Sequence, residues 1–314
     1  MSILNRKKVL AAKVESTPGT AETLTASEAA MVIREATYSP DIKLFERGIL
    51  STSLSNFSRL VGQKAGAIAM KTEVKGGGAA GSAPALGTFL KGAGFLEAIS
   101  AGVSVTYTPR SSGFQPLTVG QYADDTVGTG LRHLIAGAMA RSMRLTANIG
   151  EPMALEMEFL GKEQATVDVA PLAPTLEVLA PPVLLAATFT IDSFAAQISQ
   201  ITIDLAPEIA LRSDITEATG YDFALMTGRK PTISFDAEQS LVATYDWLGK
   251  FKSGNEGALN LVIGASAGNI ITITAPKVQY TNISEGDRDG IATFQVEGAL
   301  NRNSGDDELS IVFT

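Results

Sequence analysis

The chain carries one pattern twice, about 167 residues apart, and such a repeat points to two similar units in tandem. Ser39-Pro40-Asp41-Ile42-Lys43-Leu44 in the first half corresponds to Ala206-Pro207-Glu208-Ile209-Ala210-Leu211 in the second. Gly62-Gln63-Lys64 leads into a strand-like stretch with Ile68, Met70 and Glu73, and Gly228-Arg229-Lys230 leads into Ile233, Phe235 and Glu238. A short apolar, helix-like patch follows each, Leu86-Gly87-Thr88-Phe89-Leu90 and Ala243-Thr244-Tyr245-Asp246-Trp247-Leu248. Each copy closes on a strand ending in glycine, Glu158-Phe159-Leu160-Gly161 and Gln295-Val296-Glu297-Gly298. Two equivalent units in one chain suit a subunit that fills two equivalent places in a symmetric assembly.

A length of 314 residues allows about two domains, which agrees with the repeat. Only 6% of residues are aromatic, while small residues abound, a mix that favours regular β structure over a pocketed enzyme. Cysteine is absent, which removes disulfide staples, thiol nucleophiles and thiolate metal ligands, and favours folding in the cytoplasm. Arg6-Lys7-Lys8 resembles the start of a signal peptide, but Lys13 and Glu15 cut short the apolar run that follows. The longest uncharged apolar stretch, residues 178–191, is too short for a bilayer and contains Pro181-Pro182, so no membrane partner is expected.

The net charge of −8 is unevenly placed. Residues 1–150 hold 16 Lys/Arg and 10 Asp/Glu (+6), and residues 151–314 hold 9 and 23 (−14). Neither half has a dense basic run interleaved with aromatics, which argues against tight nucleic-acid binding. Opposite halves meeting across a subunit boundary would orient association.

Residues 1–30 are small and polar and read as an arm. Alternating strands are expected from residue 31 and at 67–74, 103–108, 139–149 and 153–159. Residues 45–61, rich in Ser, Gly and Asn, form a long loop between strands, a kind more often functional than idle. Pro84 suits a first helical turn, with Leu86, Phe89, Leu90 and Ala93 on one face and Gly94 at the end. Residues 162–190 read as a connector. In the second unit strands are expected at 197–205, 231–238, 258–263, 270–275, 277–283, 290–298 and 309–313, with a helix over 241–251. The expected fold is mainly β: two tandem sandwich or barrel domains, 31–161 and 191–314, each with one short helix.

No constellation for catalysis stands out. Gly76–Ser82 is glycine-rich but lacks the Lys-Ser or Lys-Thr of a phosphate loop. His133 is the only histidine, without cysteine partners for zinc and without a Gly-x-Ser-x-Gly elbow for a triad. Asp287-Arg288-Asp289-Gly290 opens like a calcium loop but lacks the later glutamate, so it reads as a polar turn between strands. No catalytic residue, cofactor site or metal site is expected.

Other stretches resemble the tail tube (major tail) proteins of long-tailed bacteriophages. They are Val9-Leu10-Ala11-Ala12-Lys13-Val14-Glu15-Ser16-Thr17-Pro18-Gly19-Thr20, Ala83-Pro84-Ala85-Leu86-Gly87-Thr88-Phe89-Leu90-Lys91-Gly92-Ala93-Gly94-Phe95 and Ser104-Val105-Thr106-Tyr107-Thr108-Pro109. In the second unit Gly228-Arg229-Lys230-Pro231, Gly268-Asn269-Ile270, Gly286-Asp287-Arg288-Asp289-Gly290 and Gly305-Asp306-Asp307-Glu308-Leu309 carry it. The resemblance implies a structural virion protein whose β domains form stacked rings, a hollow conduit for DNA ejection. It also implies tail terminator, distal tail and tape-measure proteins as partners, and no catalytic residues. Many relatives have one tube domain and make six-membered rings. The duplication here predicts a trimeric ring with pseudo-sixfold symmetry, with a hexamer as the alternative. The rival class is a β-rich surface or adhesin module.

Two surfaces are expected to carry assembly. Leu50, Leu54, Phe57 and Leu60 would sit uncovered on a lone subunit and suit ring-to-ring contact, together with the N-terminal arm. Arg141 and Arg144 of the basic half are candidates for lateral contact with an acidic neighbour.

Overall fold

The computed structural model describes residues 2–29, 31–125 and 128–314. The first half contains β1 (Ile3–Val14), β2 (Ile33–Phe45), β3 (Leu60–Glu73), α1 (Gly87–Gly92), β4 (Phe95–Ser100) and β5 (Ser104–Pro109). It continues with β6 (Leu117–Asp125), β7 (Gly130–Asn148), β8 (Ala154–Glu163) and β9 (Val167–Val169). The second half contains β10 (Thr188–Ile191), β11 (Ile198–Asp204), β12 (Pro207–Ser213), β13 (Tyr221–Arg229), β14 (Thr232–Glu238) and α2 (Trp247–Ser253). It ends with β15 (Glu256–Ile263), β16 (Ile271–Arg288), β17 (Ile291–Leu300) and β18 (Ser310–Phe313). The chain is mainly β, with two short helices.

Strand pairing in the first half runs β1·β6·β7·β8·β3·β2, with β9 also on β7. In the second half it runs β10·β15·β16·β17·β14·β11, with β18 on β16. The order is the same and every pair is antiparallel. The helices fall at the same point, α1 after β3 and α2 after β14. The β4–β5 hairpin is an addition to the first half.

Two seams join the halves into one hydrogen-bonded sheet. Gln200–Asp204 of β11 pairs antiparallel with Arg144–Asn148 of β7, and β18 pairs with β5. Alternation drives the burial: Leu155, Met157 and Phe159 of β8 point inward, as do Ile201 and Ile203 of β11 and Ile233 and Phe235 of β14. The core is continuous across both halves. Val74, Leu86, Leu90 and Leu155 face Ile271, Ile273, Ile311 and Phe313 around a common apolar space.

Several sequence expectations shift. Residues 3–14, expected within a projecting arm, form a strand paired to β6, and Leu10, Ala11 and Ala12 are buried. Leu24 and Ala29 then fold back beside Ala11, Tyr122 and Leu134. That cover buries β6 on both faces, from Leu117 to Ala123, so it shows no alternation and reads poorly as a strand. The helix expected over 241–251 begins only at Trp247, because the Asp246 carboxylate accepts from Gly249 N–H and caps it. Gly254, at φ 68°, ends it in a left-handed conformation. The strands expected at 270–275 and 277–283 are one, β16. The break suggested by Pro276 is absorbed where Gly257 pairs with Val278 and Leu259 with Ala275, a bulge at the proline.

Candidate assembly surfaces

Eight strands form a band in the order β2-β3-β8-β7-β11-β14-β17-β16. One face of the band is the apolar core. The other carries Glu35, Thr37, Lys71, Glu156, Glu158, Arg141 and Arg144, then Thr202, Asp204, Ser234, Glu297 and Thr281, in two shallow polar hollows and the ground between them. The alternation of each strand puts these side chains there. Lys71 pairs with Glu156 at 2.6 Å, Arg141 with Glu158 at 2.5 Å and Arg144 with Asp204 at 3.1 Å. Glu35 and Glu297 have no ion-pair partner among the described residues, so carboxylates outnumber cations on this face.

Arg141 and Arg144 are thus engaged within the chain. Arg144 lies on β7 and Asp204 on β11, so their bridge crosses the seam between the basic and acidic halves. Toward the other end of β7 the polar face is covered. The ribbon of β12 and β13, a separate two-stranded sheet, lies there. Met226 and Ala224 pack on Met139, with Ile209, Leu211 and Phe114 around them. Gly137 of β7, at φ 59°, lets the ribbon approach: a Cβ there would sit 2.6 Å from Phe223 Cβ. Lys162 of β8 reaches Glu217 at 3.0 Å, and the ribbon tip takes Lys64 N–H on the Thr219 carbonyl at 2.9 Å.

Glu15, just after β1, supports this seat. Its buried carboxyl accepts from Gly137 N–H (2.7 Å), Gly19 N–H (2.7 Å) and the Thr118 hydroxyl (2.8 Å). Burial pushes the Glu15 pKa up, against the pull of those three donors and of Lys162. In the second half Asp236 behaves oppositely. Burial alone would raise it, but donors from Ser199 and Gln200 and the Arg288 guanidinium outweigh burial and hold its pKa down. Neither carboxylate was singled out by the sequence, since no spacing rule marks a carboxylate whose donors come from distant strands.

The counterpart ribbon of β2 and β3 projects uncovered. Leu50 and Leu54 are fully exposed, Phe57 is 43% exposed and Leu60 51%. Ile42, Leu44, Phe45, Ile49 and Val61 are exposed beside them. The loop residues expected at a ring contact therefore belong to no core of this chain. His133, meanwhile, stacks on Tyr38 at 4.3 Å and bonds Thr166 through Nδ1. Burial lowers its pKa, with Lys8 adding to the effect. Asp289 and Gly290 form the turn joining β16 to β17, and Gly290 N–H donates to the Asp287 carboxylate at the end of β16. Among the described residues no group of three or more His, Cys, Asp or Glu is placed to hold a metal ion.

A family model described as phage tail tube protein matches residues 5–310, nearly the whole chain. The chain belongs to the phage tail tube protein family. No curated protein matches it. The tail tube protein is a structural component of the virion tail and not an enzyme, which sets aside the adhesin reading. Its function lies in self-assembly into a tube.

Proposed function

We propose that each half of the tail tube protein fills one tube-unit place, so that three chains close a ring with pseudo-sixfold symmetry. The units are residues 31–161 and 191–314, with 162–190 as connector and β1 added to the first. The observation that carries this is the recurrence of one antiparallel pairing order, with its helix, in the two halves. Rings stack into a tube, with Leu50, Leu54, Phe57 and Leu60 at the ring-to-ring contact.

The uncovered polar face of the band lines the lumen. Its excess of carboxylates repels phosphate and lets DNA slide, where a basic wall would hold the duplex by counterion release. The tube is thereby a conduit for ejection, bounded by tail terminator, distal tail and tape-measure proteins. Negative-stain microscopy of the purified chain tests the reading. Rings and hollow filaments are expected, and a chain that stays monomeric at every concentration contradicts it.

A further inference from the structure

The band has two unpaired margins among the described residues. The outer edge of β2 is one, since β2 ends the strand order. The other is the far part of β16: β15 pairs with it only as far as Gln279, while β17 occupies the opposite edge through Arg288. The seam inside the chain shows what these margins fit. There the third to seventh residues of β11 pair with the last five of β7. The third to seventh residues of β2 are Glu35–Ser39, and the last five of β16 are Ser284–Arg288.

The geometry points to a junction between copies that repeats this internal seam. Glu35–Ser39 of one chain pairs antiparallel with Ser284–Arg288 of the next. This rests on the reading of the halves as equivalent tube units. In the matching register Glu35 faces Arg288, Thr37 faces Gly286 and Ser39 faces Ser284 on the polar side. Ala36 and Tyr38 then face Asp287 and Glu285 on the other. The sides agree with each strand's own alternation: Ala36 is buried and Tyr38 half-buried, and Glu285 lies opposite the buried Phe294 of β17.

Two features support the pairing. Pro40 directly follows the β2 stretch, where its missing N–H ends an edge ladder, and the β11 seam likewise stops early, at Leu205 N–H on the Met143 carbonyl, two residues before Pro207. The ribbon continuing beyond β11 is laid on the first half. The same pairing would lay the bare apolar ribbon beyond β2, with Ile42, Leu44, Phe45 and Val61, on the neighbour's second half. Charge is compatible but adds less than at the internal seam, because Glu35, without an ion-pair partner, would meet an Arg288 guanidinium already held by Asp236 and Glu238 of its own chain, whereas Arg144 is held by Asp204 alone. One contact must change. The Ala36 carbonyl accepts from Gln121 Nε2 at 2.7 Å and from Lys8 Nζ at 3.4 Å, and the neighbour's backbone displaces the longer, Lys8 bond. The internal seam is apolar, Ile201 and Ile203 against Ala147 and Leu145, whereas the open margins carry Glu285 and Asp287. Charges on an open edge keep free chains from pairing indiscriminately.

The chain has no cysteine, so a disulfide can report the register cleanly. Directly opposed antiparallel residues place their Cβ atoms about 4.5–5.5 Å apart, close enough for a disulfide after small adjustment. The double variant Ser39→Cys/Ser284→Cys is assembled into filaments, confirmed by microscopy, and oxidised with copper–phenanthroline. Intermolecular disulfides are expected, in a non-reducing ladder ending at three chains, with at least ten-fold less crosslinking from Asp41→Cys/Ser284→Cys. A ladder ending at six upholds the junction and overturns the three-chain ring. Filaments that form normally without intermolecular disulfide overturn the junction.

Discussion

Residues 33 to 73 and residues 198 to 238 form two-stranded ribbons of the same length at matching places in the two halves. The second is broken into β11–β12 and β13–β14 and turns back onto β7, β8 and β3 of its own chain. The first runs straight out of the sheet, with Leu50 and Leu54 wholly exposed. Sequence differences in the ribbons do not account for this contrast, because both carry aliphatic residues along their length. What differs is the seat: the second ribbon finds Gly137, Met139 and Lys162 within the chain, and the first has no such seat there. A ribbon that packs on its own chain in one half stands exposed at the matching place in the other.

The sharpest break of this comparison is to remove one apolar side chain from each ribbon. Phe57→Ser should leave thermal stability within about 0.5 kcal/mol of the parent yet abolish polymerisation, read by circular dichroism and light scattering. Burying such a residue at a contact contributes about 1.5–3 kcal/mol, repeated at every junction. Met226→Ala should instead lower folding stability by about 2–3 kcal/mol in urea titration, as for buried large-to-small changes. Loss of the folded monomer in Phe57→Ser would place the first ribbon in the core.

The next effect is at the seat. Gly137→Ala meets both a positive φ and the Phe223 backbone, and should cost about 1–3 kcal/mol. A smaller shift of the urea midpoint, under about 0.5 kcal/mol, would show that the second ribbon rests loosely and that the contrast is overstated.

How much of this was readable beforehand follows from burial. Strands with one wet face, such as β8 and β14, alternate and stand out in the sequence. The strands covered on both sides do not. β6 and residues 134–140 in the middle of β7 are buried all round by residues 15–29 and by the second ribbon, both placed by tertiary contacts. The repeat of Ile68, Met70 and Glu73 with Ile233, Phe235 and Glu238 marked β3 and β14, which hold the same place in their halves. Leu50, Leu54 and Phe57 were legible as uncovered because Ser, Gly and Asn surround them. The partners of Arg141 and Arg144 were not, since Glu158 and Asp204 come from neighbouring strands whose register the sequence does not state.

Acid should separate the halves more gently. The Asp236 pKa is depressed in the folded chain, so its contribution is present above the unfolded aspartate value of about 3.9 and is lost as pH falls below it. The Glu15 pKa is raised, so protonation favours the folded state and stability from this group improves as pH falls from neutral. Asp236→Asn should therefore lower stability at pH 7, with the deficit closing below about pH 4 in a pH series of thermal melts. A deficit independent of pH would remove the Asp236 argument.

Salt should have the smallest effect. Junctions between the basic and acidic halves would weaken with ionic strength, since exposed charges are screened over about 8–10 Å. Arg141 and Arg144 are already paired within the chain, which reduces what they offer a neighbour. A modest fall in ring formation between low and near-molar salt is expected by sedimentation, and indifference to salt would remove the charge pairing from the account.

The equivalence of the two halves is tested most directly by the native mass of a single ring released from the tube. The account predicts three 32.8 kDa chains, about 98 kDa, with first and second halves alternating around the axis. A ring of six chains, about 197 kDa, would contradict it.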